Sequence, residues 1–402
     1  MKRFVGALAI VALSAFAVVQ AVAAGKYDPG ASDTETKLGT TWAFSGPVSS
    51  TSPVERQMAG YFAMINDQGG VNGRKINLIA LDDGYQPPKT VEQTRRLVEQ
   101  DQVLLMYGQI GTPTNVAVRP YLNGKKVPQL FVTTGSSSLI DPKKYPWTMG
   151  FQSSYAAEST VIAKYILAEK PNAKIGILYQ DDDFGTDHLN PFLAALGDKA
   201  KTMVVAKASY AVTDPTVTSQ ILSLKAAGAD TLYLMAQSRA AAQAVSAARD
   251  QGGDNLLLFI PFVATAKSVI GPVGDDKLKG LMSTDSTKDP TDPAWKDDRA
   301  VKDYLAWVDK YVPEQDRESD RSSPLGYVSA QAMVEVLKRA GDDLTRENIL
   351  KIATSLHDVA IPLLLPGVTL NTSATDYFPI HTLQLKRYDG TRWQLVGKPI
   401  DG

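Results

Sequence analysis

Apolar runs of strand length alternate with helix-period segments along most of the chain, and the alternation starts over near its middle. That restart constrains the fold more than any other feature. Residues 38–44 read as a strand, 53–67 as a helix, 75–82 as a strand, 89–100 as a helix and 103–107 as a strand. A short helix is expected near Asn115, then a strand over 128–133. The second series places helices over 155–169, 189–196, 216–227 and 239–251, with strands over 174–179, 202–206, 231–235 and 256–260. Parallel strands need connections long enough to hold a helix, so this spacing predicts parallel sheets covered by helices on both faces. The fold class is therefore α/β, with two doubly wound units and a seam near residues 150–154.

Local signals sharpen some boundaries. Ser52 as N-cap, Pro53 at the first helical position and Glu55 as the partner of a capping box mark one helix start, and Gly69-Gly70 ends that helix. Longer helices are expected over 297–311, 323–340 and 345–355. Residues 381–388 and 392–396 flank Asp389-Gly390, a turn-favouring pair that predicts a hairpin.

The first residues read as an address. Met1-Lys2-Arg3 is basic, residues 4–19 are apolar, and Ala21-Val22-Ala23-Ala24 offers small residues for cleavage. This predicts a secretory signal over residues 1–23 and export to a periplasm, with an uncleaved membrane anchor as the rival reading. No later run is long and apolar enough to span a bilayer. The chain has no cysteine, which excludes thiol catalysis, disulfides and cysteine-bound zinc. Without Lys2 and Arg3 it carries 40 basic and 43 acidic residues, a net charge of −3, and no dense basic run. Nucleic acid and anionic membrane surfaces have no electrostatic support as partners. At 44% hydrophobic and 21% charged residues, the composition is that of a globular protein with a large core.

Catalytic signatures are missing. The chain has no G-x-G-x-x-G after its first strand, no Walker lysine loop, no G-x-S-x-G elbow and no H-E-x-x-H. Asp181, Asp182 and Asp183 could bind a metal, but a solvated loop after a strand is the plainer reading. His188, His357 and His381 lack ligand spacing and default to surface or hairpin positions. Ser136-Ser137-Ser138 has no signalled base. The expectation is a binding protein, neither an enzyme nor a carrier of a cofactor or metal. Its ligand should collect beyond the carboxyl ends of the strands, where helix N-termini offer free N–H groups.

Several short motifs in a fixed order support this. Ala43-Phe44-Ser45-Gly46-Pro47, Ile65-Asn66-Asp67-Gln68-Gly69-Gly70-Val71-Asn72-Gly73, Asp82-Asp83 with Pro87, Gly108-Gln109, Asp183-Phe184-Gly185 and Asp376-Tyr377-Phe378-Pro379-Ile380 span nearly the whole chain beyond its leader. Together they resemble the periplasmic branched-chain amino-acid-binding family of ABC importers. The resemblance implies a type I periplasmic binding protein: two Rossmann-like lobes joined by three crossovers, near 150–152, 284–285 and 360–366. Residues 37–151 and 286–358 would form the first lobe, and 152–285 and 359–402 the second. It further implies a monomer that delivers a small molecule to an inner-membrane permease and ATPase complex.

Carried over residue by residue, the resemblance implies that Thr112, Gly135 and Ser137 hold a ligand carboxylate. Phe184, Gln237 and Phe262 would form the opposite wall. Amino-acid binders place an acid where this chain has Phe262, and an aromatic ring cannot neutralise an ammonium. Phe184 and Gln237 stand where the family has aromatic residues, and Tyr85 and Gly111 where several members pair two cysteines. The resulting expectation is a carboxylate with an apolar or aromatic body, of the benzoate or phenylpropanoid type. The alternatives are a branched-chain amino acid or short amide, and, from another class, an exported metal-dependent enzyme.

Overall fold

The computed structural model describes residues 25–251, 253, 255–321 and 323–401, so the expected signal over 1–23 lies outside the described residues. Fourteen strands occur there: β1 (Lys26–Tyr27), β2 (Glu35–Trp42), β3 (Lys75–Asp82), β4 (Leu105–Tyr107), β5 (Gln129–Val132), β6 (Thr148–Gly150), β7 (Ile175–Gln180), β8 (Val204–Tyr210), β9 (Thr231–Met235), β10 (Leu257–Phe259), β11 (Met282–Asp285), β12 (Asp343–Leu344), β13 (Thr382–Tyr388) and β14 (Trp393–Asp401).

One sheet has the order β3-β2-β4-β5-β6, entirely parallel. In the other, β8-β7-β9-β10-β11 repeats that parallel order, and β13 and β14 extend it antiparallel. The central strands are apolar on both faces, as helix-covered parallel strands must be: every residue of β4, β5 and β9 is buried. Along β8, at the sheet edge, half-buried and exposed positions alternate instead, and only the last residue, Tyr210, is buried. The β13–β14 hairpin turns at Asp389-Gly390, where Gly390 takes φ 112° and the Asp389 carboxylate accepts the N–H groups of Thr391 and Arg392.

Each sheet reverses its strand order between its first and third strands, at β2/β4 and at β7/β9. Those are the points where the chain leaves toward opposite faces and opens a crevice at the strand ends. Five helices follow these strands closely: α1 (Ser52–Asp67), α2 (Pro87–Glu99), α3 (Thr112–Lys125), α4 (Tyr155–Glu169) and α5 (Asp183–Leu196). Helices Arg299–Tyr311, Leu325–Ala340 and Arg346–Ala353 return to the first lobe, where Tyr304, Trp307 and Tyr327 pack into its core.

The structure corrects the sequence reading in several places. Residues 359–380, expected in the second lobe, pack into the core that holds the first sheet: Leu363, Leu370 and Tyr377 are members of it, and Gly150 N–H donates to Tyr377 O at 3.2 Å. The chain enters the second sheet only at Thr382. Strands β6 and β11 occupy stretches read only as crossovers. The Ser52 capping box does not form. A short 3-10 turn, Ser49–Thr51, leads straight into α1, and the Ser52 hydroxyl accepts from Arg56. The helix near Asn115 is not short; α3 has 14 residues. His188 is fully buried, not at the surface. No helix among the described residues is long and apolar enough to cross a membrane.

Candidate functional site

The strand ends of both sheets converge on a small cavity of about 40 Å3. Trp42 at the end of β2, Ile110-Gly111 after β4 and Thr133 after β5 come from the first lobe. Tyr155 at the start of α4, Phe184 at the start of α5, Gln237 after β9 and Val263 after β10 come from the second. Gln152 lines the cavity from the first crossover. It is shared, with Leu325, by a second cavity of about 50 Å3 that runs along the crossovers past Ser153, Phe262 and Asp285.

The six residues expected to bind ligand meet different fates. Phe184 is buried on the wall, its ring edge-on to Tyr155 at 5.3 Å. Gln237 lines the cavity, and its Nε2 donates to the Tyr85 hydroxyl at 2.7 Å. Phe262 lines the crossover cavity and lies 5.8 Å from Tyr155. Thr112 is fully buried, one residue beyond the lining Gly111, and its hydroxyl is paired with that of Thr134 at 2.8 Å. Gly135 is packed so tightly that a Cβ would stand 2.5 Å from Ser153 O, while its own carbonyl accepts from Tyr155 N–H. Ser137 is exposed and lines neither cavity. Its neighbours Ser136 and Ser138 reach the Asp187 carboxylate of the other lobe and line neither cavity.

The sequence reading missed Trp42, Gln152 and Tyr155, and it gave Tyr85 only as the place of an absent bridge. Trp42 is the last residue of the first strand, a position the strand-end rule itself could have flagged. Tyr85 lies against Gly111 so closely that a Cβ there would meet its ring at 2.4 Å. It adopts φ 61°, in the left-handed region.

The site is nearly free of charge. None of the side chains lining the strand-end cavity is charged. Asp285, in the crossover cavity, is ion-paired to Lys386. Behind Phe262, Glu158 is fully buried and accepts from Phe262 N–H and the Thr284 hydroxyl, both at 2.8 Å. Burial pushes its carboxyl up to about 8, and burial pushes the adjacent His188 down to about 3. The two lie 3.8 Å apart, and burial favours the neutral form of each. Asp182 is not a free carboxylate: it caps α5 by accepting from Phe184 and Gly185 N–H. By contrast α3 has Gly111 as its N-cap, φ 94°, with no side-chain cap, so its N-terminal N–H groups and dipole end favour an anion at the cavity edge.

The lobes are closed on one another. Besides Tyr85–Gln237 and Ser136/Ser138–Asp187, Ser50 pairs with Ser238, Lys267 with Glu318 at 3.0 Å, and Ser268 N–H donates to Ser319 Oγ at 3.2 Å.

Two parallel sheets of identical strand order, crossing segments between them and a cavity at both sets of strand ends define a two-lobed binding protein of type I. The pattern of the periplasmic binding protein family matches residues 35–392, and the chain belongs to that family. It is 22% identical over 332 residues to the Leu/Ile/Val-binding protein homolog 3 of Brucella melitensis, covering 80% of this chain and 83% of that one. Its fold is similar to a branched chain amino acid ABC transporter structure from Thermus thermophilus with bound valine (TM-score 0.81, 18% identity, 92% and 97% of the two chains). It is also similar to a solute binding protein of an ABC transporter from Rhodopseudomonas palustris BisB5 in complex with 3,4-dihydroxy benzoic acid (TM-score 0.76, 18% identity, 91% and 97%).

Proposed function

We propose that this protein is the exported, periplasmic substrate-binding protein of an ABC importer, and that it captures a small carboxylate with an apolar or aromatic body. The observation that carries the ligand class is the wall of the strand-end cavity, where Trp42, Tyr155 and Phe184 supply rings and no side chain supplies a negative charge. An ammonium buried there would have no counter-ion, and burying an unpaired charge is expensive. A carboxylate would face the uncapped start of α3 instead. Thr112 and Gly135 would act from behind that edge, Thr112 by fixing Thr134 and Gly135 by letting the second lobe approach. Phe184, Gln237 and Phe262 would contact the body. Ser137 has no part in the proposal. Delivery to a permease and ATPase complex follows from the two-lobed clamp, which presents one closed shape when loaded.

A branched-chain amino acid is the second reading, supported by the Brucella relative's name and the valine in the Thermus structure. Calorimetry with benzoate and 3-phenylpropionate against leucine and valine separates the two. Micromolar binding of an aromatic acid with no heat from either amino acid is the expected result. Tight leucine binding without any response to the acids would refute the ligand class.

A further inference from the structure

Three polar side chains at the two cavities make no hydrogen bond within the chain at the atoms concerned. They are the Trp42 indole N–H, Gln152 Oε1 and Ser153 Oγ, which find no partner among the described residues; Trp42 lines the strand-end cavity, Ser153 the crossover cavity and Gln152 both. The three residues are 0%, 4% and 2% exposed. Most buried polar atoms are paired in folded proteins, and while other buried side chains of this structure are unpaired too, these three belong to residues that line the site and stand open to a partner from outside the chain. A purely hydrocarbon body would fill the space and leave all three unmatched.

We infer that the ligand carries, besides its carboxylate, an uncharged hydroxyl-type group that both donates and accepts, seated against Gln152 between the two cavities. The indole can only donate, the amide oxygen can only accept, and the serine does either. A hydroxyl can serve any of the three. A second carboxylate would meet Gln152 Oε1 acceptor to acceptor, and an ammonium could not accept from Trp42. Were the Gln152 amide turned over, its N–H pair would still be met by a hydroxyl oxygen. The inference rests on the ligand class proposed above and narrows it to hydroxylated acids.

The test is calorimetry on matched pairs that differ by one hydroxyl: benzoate with 4-hydroxybenzoate, 3-phenylpropionate with its 4-hydroxyphenyl analogue, phenylalanine with tyrosine, and valine with threonine. Wild type should prefer the hydroxylated member of at least one acid pair by roughly tenfold or more, because a site built to pair a hydroxyl rejects the analogue that lacks it. In Gln152→Leu that preference should fall to near unity while the hydroxyl-free partner binds as well or better. Trp42→Phe, which keeps the ring and removes only the N–H, should reduce it in part and serves if Gln152→Leu does not fold. Equal binding within every acid pair overturns the inference, as does a preference that survives both substitutions. A preference confined to amino-acid pairs and lost in Gln152→Leu would uphold the hydroxyl subsite and overturn the aromatic-acid reading. Binding of no member of the panel would overturn both.

Discussion

Replacing Tyr85 by Phe should loosen closure without emptying the space beside Gly111. The ring lies against the start of α3 in the first lobe, and only the hydroxyl crosses to Gln237 in the second. A neutral buried hydrogen bond contributes about 0.5–1.5 kcal/mol net, and stranding its donor can raise the loss to about 1–3 kcal/mol. Gln237 Nε2 keeps only a longer contact, 3.4 Å, to Gln180 Oε1, so the loss belongs in the middle of that span. About 1.4 kcal/mol corresponds to a tenfold shift of the closed-to-open ratio. If the ligand binds the closed form, its apparent affinity should fall by up to about tenfold, and by less if the unliganded protein is mostly closed already. Small-angle scattering of the free protein should show expansion where calorimetry shows a small loss. Together the two measurements report which regime holds. A lowered melting temperature with unchanged scattering and unchanged affinity would mean that this contact does not control closure.

Other substitutions probe the same geometry. Gly111→Ala must force a Cβ against the Tyr85 ring at a φ of 94°, and should destabilise the protein by about 1–3 kcal/mol in denaturant unfolding. An unchanged midpoint would show that the ring can move aside. Phe262→Glu puts a carboxylate on the crossover cavity, 5.8 Å from Tyr155 before substitution, and should weaken acid binding by tenfold or more; unchanged affinity in calorimetry would remove Phe262 from the site. Burial raises Glu158 to about 8, and Asp320 and Glu55 to about 8 and about 7. These groups keep their protons in the fold at pH values where the unfolded chain has lost them. Stability from them is therefore complete below about pH 4 and is lost as pH rises to about 8. Melting temperature should fall across that window, and Glu158→Gln should flatten the fall; an identical slope in wild type and mutant would refute the assignment.

Much of the architecture was legible because hydrophobic periodicity encodes it directly. Residues 75–82, 155–169 and 231–235 were read with the bounds the structure shows, since each is a strongly patterned segment between plain breakers. The short strands β6 and β11 were not legible as strands. Thr148–Gly150 and Met282–Asp285 are only three and four residues long, too few for a period to emerge. The route of residues 359–380 was hidden for a different reason. Its apolar residues could pack against either lobe, and pairing of Thr287 with Leu364 and of Gly150 with Tyr377 decides for the first.

The site was less legible because its partners are far apart in sequence. In Ser136-Ser137-Ser138 the middle hydroxyl was expected to be useful. The outer two make a different contact, to Asp187 on a helix of the other lobe, which no local pattern in the serine run announces. The argument from Phe262 shows the same limit more sharply. A missing acid at that position was taken to disfavour an ammonium, yet a carboxyl does stand directly behind Phe262, on Glu158. What decides is its protonation. Burial, the largest influence on Glu158, favours its protonated form, against the hydrogen bonds from Thr284 and Phe262 N–H and the field of Lys386, which favour the charged one; among the described residues only His188, itself driven toward neutrality by burial, stands within ion-pairing distance. A neutral carboxyl does not compensate an ammonium, and ionising it would add a second charge to a dry wall. The proposed ligand class thus leans on the state of a residue the sequence does contain, as well as on the absence of one it lacks.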